Sequence, residues 1–282
     1  MQHAIHRARS LLFVPADRPE RYAKALASAA DAVVIDLEDA VAAAGKAAAA
    51  DTLREAWPLL DAGRIALRIN AAGTPWHEDN LALCRALQPA AVMWAKAEDP
   101  ARIGQAGLPS GAVIALIESA RGVADVRAIA ACEAVGRLAL GHVDLQAELG
   151  MRCSEDEREL DSTRFEIVLA SRLAGLTAPI DGVTLDIQSA ERVSRAARRA
   201  QAFGFGGKLC IHPAQLAPLH AAWQPDAAQV DWARRAIAAA AASTGGAIQI
   251  DGVMVDAPVL QLARSIARDA GLEKPNTEGD KP

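Results

Sequence analysis

Ala112-Val113-Ile114-Ala115-Leu116-Ile117-Glu118-Ser119 is six apolar residues closed by a carboxylate. Six such residues without polar alternation fit a strand buried on both faces, not one with a wet side. Seven other short runs read the same way: 11–14, 32–37, 65–69, 91–93, 138–140, 182–185 and 208–211. Between them lie Ala-, Leu-, Arg- and Glu-rich stretches of helical period. One spans 21–30 after the start signal Pro19, another 120–131, and a third 189–201, ending before Gly204. Eight buried strands alternating with helices predict a closed (β/α)8 TIM barrel of the α/β class. The rival, an open doubly wound sheet, usually carries a glycine-rich phosphate loop after its first strand. Here residues 11–14 run into Pro15-Ala16-Asp17-Arg18-Pro19, with no GxGxxG.

The composition agrees with that core. Of 282 residues 51% are hydrophobic but only 4% aromatic, so the interior must be aliphatic and alanine-rich. A net charge of -5 argues against nucleic acid, which needs a basic face, but leaves room for a small anion held by a local basic cluster. No apolar run reaches the length of a membrane span, and the alanines at 236–242 favour helix over lipid. The basic start, Met1 to Ser10, lacks the apolar segment and cleavage site of a signal peptide. Cys84, Cys132, Cys153 and Cys210 form no CxxC pair, which fits a reducing cytoplasm better than a disulfide or zinc framework.

The barrel pattern is complete at 213. Residues 214–272 read as an extension: a helix from Asp226 to Ala242, a break at Gly245-Gly246, a hairpin over 247–255 turning at Asp251-Gly252, and a helix from Pro258 to Ala270. Such an extension is either packing or a lid on the barrel or on a neighbouring subunit. The polar stretch 273–282 is expected to be a disordered tail.

Chemistry in such a barrel gathers at the carboxyl ends of the strands. The predicted ends carry Asp36-Leu37-Glu38-Asp39, Arg68-Ile69-Asn70, Lys96, Glu118-Ser119, Gly141-His142-Val143-Asp144, Asp186 and His212. Several carboxylates at one mouth need a positive partner, and a divalent cation is the economical one. Oxygen ligands suit magnesium or manganese, which takes one or two protein carboxylates and leaves its other positions to water and substrate. Glu118 and Asp144 are the metal candidates, each closing an apolar strand; the structural alternative is pairing with arginine. Arg68, closing a buried strand, needs an anion, either Glu38 or a substrate oxygen. Asp36 and Glu38 point the same way if the strand continues, as supports for the site, and Asp39 is placed to cap the next helix. Lys96 could form a Schiff base, but Glu98 and Asp99 beside it favour a plain ion pair. His142 and His212 read as hydrogen-bonded histidines. Arg18, Arg21 and Lys24 near a helix start, together with Gly204-Phe205-Gly206-Gly207-Lys208, form a candidate grip for a long anionic cofactor such as coenzyme A.

In order along the chain stand Ser10-Leu11-Leu12-Phe13-Val14-Pro15, Asp36-Leu37-Glu38-Asp39-Ala40-Val41, Arg68-Ile69-Asn70, Ile117-Glu118-Ser119 and Gly141-His142-Val143-Asp144. Ala178-Pro179-Ile180-Asp181, the stretch from Gly204 to Pro213, and Met254-Val255-Asp256-Ala257-Pro258 follow. This set, spread over residues 9–270, resembles the HpcH/HpaI aldolase/citrate lyase superfamily, and within it the citrate lyase β-subunit-like CoA-ester lyases. The resemblance implies a (β/α)8 barrel, trimeric or hexameric, that binds magnesium and an acyl-CoA. It implies Glu118 and Asp144 as metal ligands, Arg68 as the contact to substrate or enolate oxygen, and Asp256 as an acid–base group on a C-terminal lid serving a neighbouring subunit. Arg18, Lys24 and Lys208 fall where the family meets CoA. Ala16, Ala95, Ser119 and Glu148 replace a common Gly, Pro, Thr and Asp, departures that bear on substrate identity more than on reaction type.

The implied reaction is metal-dependent cleavage or formation of the C–C bond of a β-hydroxyacyl-CoA, such as malyl-, citramalyl- or citryl-CoA, giving an acyl-CoA and a keto acid. The rivals are the citryl-lyase subunit of a citrate lyase complex, a CoA-independent class II pyruvate aldolase, and a binder with a vestigial site.

Overall fold

The computed structural model describes residues 4–243 and 248–272. The expectations for Met1 to His3, Gly245-Gly246 and the tail 273–282 concern residues outside that set. Eight parallel strands close into a barrel in chain order: β1 Ser10–Pro15, β2 Ala32–Asp36, β3 Ile65–Ile69, β4 Ala91–Trp94, β5 Val113–Ile117, β6 Val135–Leu140, β7 Ile180–Asp181 and β8 Gly207–Cys210. β8 returns to β1 with Ser10 opposite Lys208 and Cys210 opposite Leu12, which seals the sheet. With every edge paired and helices outside, residues of both strand faces are buried, and β2, β4 and β5 are buried throughout. The interior is made of alanine and aliphatic side chains, among them Leu11, Val34, Ala66, Ile114, Ala139 and Leu209. This is the aliphatic core that the scarcity of aromatics required.

Seven of the eight expected strands match within a few residues. The seventh does not: β7 is only Ile180–Asp181, and 182–185 is loop. Gly182 is squeezed against His142, whose Nδ1 would stand 2.1 Å from a Cβ there. Its carbonyl is taken by Lys208 Nζ at 2.6 Å instead of a neighbouring strand. The β-branched pair Val183-Thr184 therefore gave a strand signal three residues late. The expected helix over 120–131 divides at Asp125 into Ala120–Ala124 and Val126–Ala130.

The chain forms two compact units, Met1–Ala222 and Trp223–Pro282. The barrel unit thus runs past 213, because helix Leu216–Ala222 packs against helix Ala190–Phe203 and β1 and completes the eighth repeat. In the second unit, Asp226 caps helix Ala227–Ala242 through a capping box with Gln229. A hairpin, β9 Ile248–Ile250 and β10 Val253–Val255, turns at Asp251-Gly252 as expected, with both residues at positive φ. Helix Ala257–Asp269 follows, and Ala233, Ala236, Val255 and Ala263 form this unit's own small core. Among the described residues no helix is long and apolar enough to cross a membrane.

Candidate active site

A cavity of about 760 Å³ opens at the carboxyl ends of the strands. Its walls include Arg68, Glu118 and Asp144, with Asp36 and Asp39 on one side and Arg21 and Lys24 at the rim. Phe13 of β1 lies flat under the guanidinium of Arg68, 4.9 Å from its carbon to the ring centre.

Arg68 is the best-fixed charge of the mouth. Its Nε and Nη2 donate to the two oxygens of Asp36 at 2.7 and 2.6 Å, and Nη1 lies 2.9 Å from Glu38 Oε2. Asp36 also accepts the main-chain N–H groups of Glu38 and Ala40 at 2.9 and 3.1 Å. Those four bonds use the acceptor sites of a carboxylate. Asp36 is therefore a holder of Arg68 and of the β2 loop, not a group free to react. Burial works against the charge of Arg68, but the bonds and charges of Asp36 and Glu38 outweigh it and hold its pKa above the ordinary arginine range. Glu38 sits behind Arg68 and is not among the cavity-lining residues. Burial pushes its carboxyl up to about 7, against the pull of Arg68 and with the repulsion of Asp39 and Asp36.

Glu118 directly follows β5 and is 2% exposed. Its Oε1 accepts the Lys96 N–H at 2.8 Å. Burial, then the charge of Glu38, push its carboxyl up to about 8; the Lys96 N–H and Arg68 pull the other way, and Asp144 adds to the rise. Asp144 stands in the first turn of helix His142–Leu149, where the helix dipole favours an anion. Two carboxylates lining one cavity, one of them resisting ionisation because it is buried beside other acids that Arg68 only partly offsets, fit a hard divalent cation. Among the described residues no cluster of three or more His, Cys, Asp and Glu could hold a metal, so this donor set leaves most of the coordination to water and ligand.

Four sequence expectations change here. Lys208 does not reach the mouth. It is the second residue of β8 and 2% exposed, with Nζ on Gly182 O and 3.7 Å from Asp181. Burial lowers its pKa, against the charge of Asp181. The glycines before it serve close packing at the amino end of the barrel: a Cβ on Gly207 would stand 2.6 Å from Arg137 Nη2. Arg18 is exposed beside Asp17 and does not line the cavity, whereas Arg21 does. Asp39 does not cap the next helix, whose cap position is Ala42. The acid that ends the seventh strand is Asp181, buried between Arg164 and Lys208, while Asp186 caps its own loop on Gln188 and Ser189. Asp256 belongs to the second unit, where its side chain caps the last helix on the Val259 N–H at 3.2 Å.

Sequence reasoning missed the supports. Lys46 donates to the carbonyls of Leu37 and Glu38 at 3.0 and 2.7 Å and fixes the β2 loop. Asn70 ties that loop to Asn80, and His77 takes the Asn70 carbonyl. In sequence Asn70 reads only as a strand end; Lys46, His77 and Asn80 lie on helices whose polarity looks like ordinary surface.

The HpcH/HpaI aldolase/citrate lyase family model matches residues 9–213. A citrate lyase subunit β-like protein of Mycobacterium tuberculosis is 41% identical over 268 residues, 92% of this chain and 94% of that protein. A (3S)-malyl-CoA thioesterase of Cereibacter sphaeroides is 31% identical over 263 residues, 91% of this chain and 92% of the relative. The crystal structure of CitE from Mycobacterium tuberculosis, in complex with magnesium, acetoacetate and coenzyme A, superposes with a TM-score of 0.86 at 39% identity over 94% of this chain and 99% of that one. The barrel fold is therefore shared with these proteins.

Proposed function

We propose that this chain, which belongs to the HpcH/HpaI aldolase/citrate lyase family, is a magnesium-dependent lyase that cleaves or forms the C–C bond of a β-hydroxyacyl-CoA of the malyl, citramalyl or citryl type. The observation that carries the reading is the convergence of Glu118, Asp144 and the carboxylate-clamped Arg68 on one cavity. The neighbour solved with magnesium, acetoacetate and coenzyme A supports it.

In this reading Glu118 and Asp144 hold the metal, which supplies Lewis acidity to the hydroxyl and carboxylate oxygens of the substrate. Arg68 faces the oxygen on which negative charge grows as the thioester enolate forms. Its position is set in advance by Asp36 and Glu38, so no reorganisation is needed when the charge appears. Glu38 keeps the far side of the guanidinium neutralised without entering the cavity. Asp256 gives the proton to the enolate carbon, or takes it in the condensation direction. Lys24 and Arg21 at the rim meet the phosphates of the CoA. Asp256 serves the site of a neighbouring copy, so the working form is a homo-oligomer, a trimer or hexamer.

The test is a panel of CoA thioesters and their free hydroxy acids, assayed for keto acid and for free thiol, with Mg²⁺ present and chelated. Keto acid released from a thioester only with metal supports the reading. Thiol without keto acid puts thioester hydrolysis in its place, as the thioesterase relatives suggest. Turnover of free hydroxy acids moves it to a CoA-independent aldolase, and activity only with other subunits added makes it one component of a complex.

A further inference from the structure

Lys96 follows β4 in left-handed backbone, with φ 47°. Residues with side chains seldom adopt that region. The side chain does not account for it, since Lys96 is exposed and is not among the residues lining the mouth cavity. The conformation gains a direction for the main chain: two successive N–H groups face β5. That of Ala97 donates to Leu116 O at 3.1 Å, and that of Lys96 donates to Glu118 Oε1 at 2.8 Å. The Ala97 bond ties the turn to the β5 backbone, and the Lys96 N–H is left to hold one carboxylate oxygen of Glu118.

The opposite side of the same carboxylate is closed by Gly141. A Cβ on Gly141 would stand 2.5 Å from both Cβ and Oε2 of Glu118. Real Cβ atoms do not approach so closely, so the glycine is needed for Glu118 to lie where it does. One oxygen is tied to the turn and the other rests over a bare Cα, and the side chain is left little freedom in the plane of the mouth.

We propose that Lys96 is a positioning residue that acts through its main chain. The left-handed turn after β4, with Gly141 opposite, fixes the rotamer in which Glu118 meets the cation, and the lysine ammonium takes no part. The proposal rests on the magnesium reading above.

The test is calorimetric titration of Mg²⁺ into the substrate-free full chain, with thermal midpoints alongside. Lys96→Ala keeps the N–H and should leave the Mg²⁺ Kd within about twofold. Lys96→Pro deletes the donor and forces negative φ, and Gly141→Ala pushes on Glu118. Each should weaken Mg²⁺ by at least about tenfold, the scale of support lost behind a metal ligand. Lys96→Gly keeps the N–H and relieves the turn, so it should hold the Kd and raise the thermal midpoint. If Lys96→Pro does not fold, Gly141→Ala against Lys96→Ala decides. Wild-type affinity in Gly141→Ala, or a tenfold loss in Lys96→Ala, overturns the proposal. No Mg²⁺ binding by the wild-type chain instead overturns the parent reading, and this one with it.

Discussion

Two arginines are sealed into opposite ends of one barrel and are held in different ways. At the carboxyl end, Arg68 is gripped by Asp36 and Glu38, with Glu118 adding its charge from across the cavity. At the amino end, Arg137 of β6 is fully buried and donates to two carbonyls, Ala178 O at 2.7 Å and Ala8 O at 2.8 Å. Burial pushes its pKa down to about 9, with Asp31 only partly offsetting it. Carbonyls satisfy the fork of a guanidinium but do not neutralise it. The amino end therefore uses its arginine to tie three chain segments together and close the barrel floor. The carboxyl end gathers more negative charge than its arginine can balance, and that surplus makes it a place for a cation and a reacting anion. One residue type in one fold gives a plug below and a site above, and the difference lies in the carboxylates.

The largest effect should come from removing one of those surplus carboxylates. Glu118→Gln can still accept the Lys96 N–H but no longer offers an anion, so kcat/KM with Mg²⁺ should fall roughly 10³-fold. The metal-free thermal midpoint should hold or rise, because the fold no longer buries an ionisable group that burial disfavours. A coupled keto-acid assay and a melting curve on the same preparation check both halves. Arg68→Lys comes next. An ammonium is a point charge and cannot span Asp36 and Glu38 at once. Loss of the preset donor should lower kcat roughly 10²-fold, with a smaller change in KM. An unchanged kcat would mean that Arg68 only neutralises its neighbours, as Arg137 only ties its carbonyls.

Much of this contrast was legible in the sequence at the mouth and little at the floor. A strand that ends in Arg68, Glu118 or Asp36 announces its charge because everything before it is apolar. Strand order and the closed barrel followed from that periodicity. The floor was misread because Gly204-Phe205-Gly206-Gly207-Lys208 carries the signs of a phosphate loop. Which end of a strand a glycine run lies on decides its meaning: before β8 it makes room for Arg137, and Lys208 is already inside the wall. β7 failed for a related reason. Its true end, Asp181, is polar because it is buried among Arg164 and Lys208, so hydropathy passed over it. The Lys96 N–H that orients Glu118 has no signature at all, since a main-chain donor is present in every residue but proline.

The surplus charge of the mouth should also show in the pH dependence of cation binding. In the metal-free chain the Glu118 carboxyl is raised from its ordinary 4.5 to about 8, so the fold favours its protonated form. The sign follows: metal-free stability declines as pH rises from the ordinary carboxylate range through 8, and below 8 a cation must expel a proton to bind. Mg²⁺ affinity should weaken about fivefold between pH 8 and 7 and approach tenfold per pH unit below that. Calorimetry between pH 6 and 9, in buffers of different ionisation enthalpy, reads both the slope and the proton released. A flat profile would place the cation away from Glu118.

The smallest effect sharpens the comparison from below. Arg137→Lys retains a positive charge, but one ammonium cannot donate along both arms of the fork, to Ala178 O and to Ala8 O, in the same geometry. One carbonyl is left without its partner, a cost of about 1 kcal/mol. Denaturant unfolding should detect that loss, with kcat/KM and Mg²⁺ affinity within twofold of wild type. The same Arg-to-Lys change would then cost activity at one end of the barrel and only stability at the other. If Arg137→Lys instead lowered kcat as Arg68→Lys does, the floor would be coupled to the mouth. The route open to such coupling is Gly207, packed against Arg137 and bonded in chain to Lys208, which faces Asp181 beneath the cavity wall.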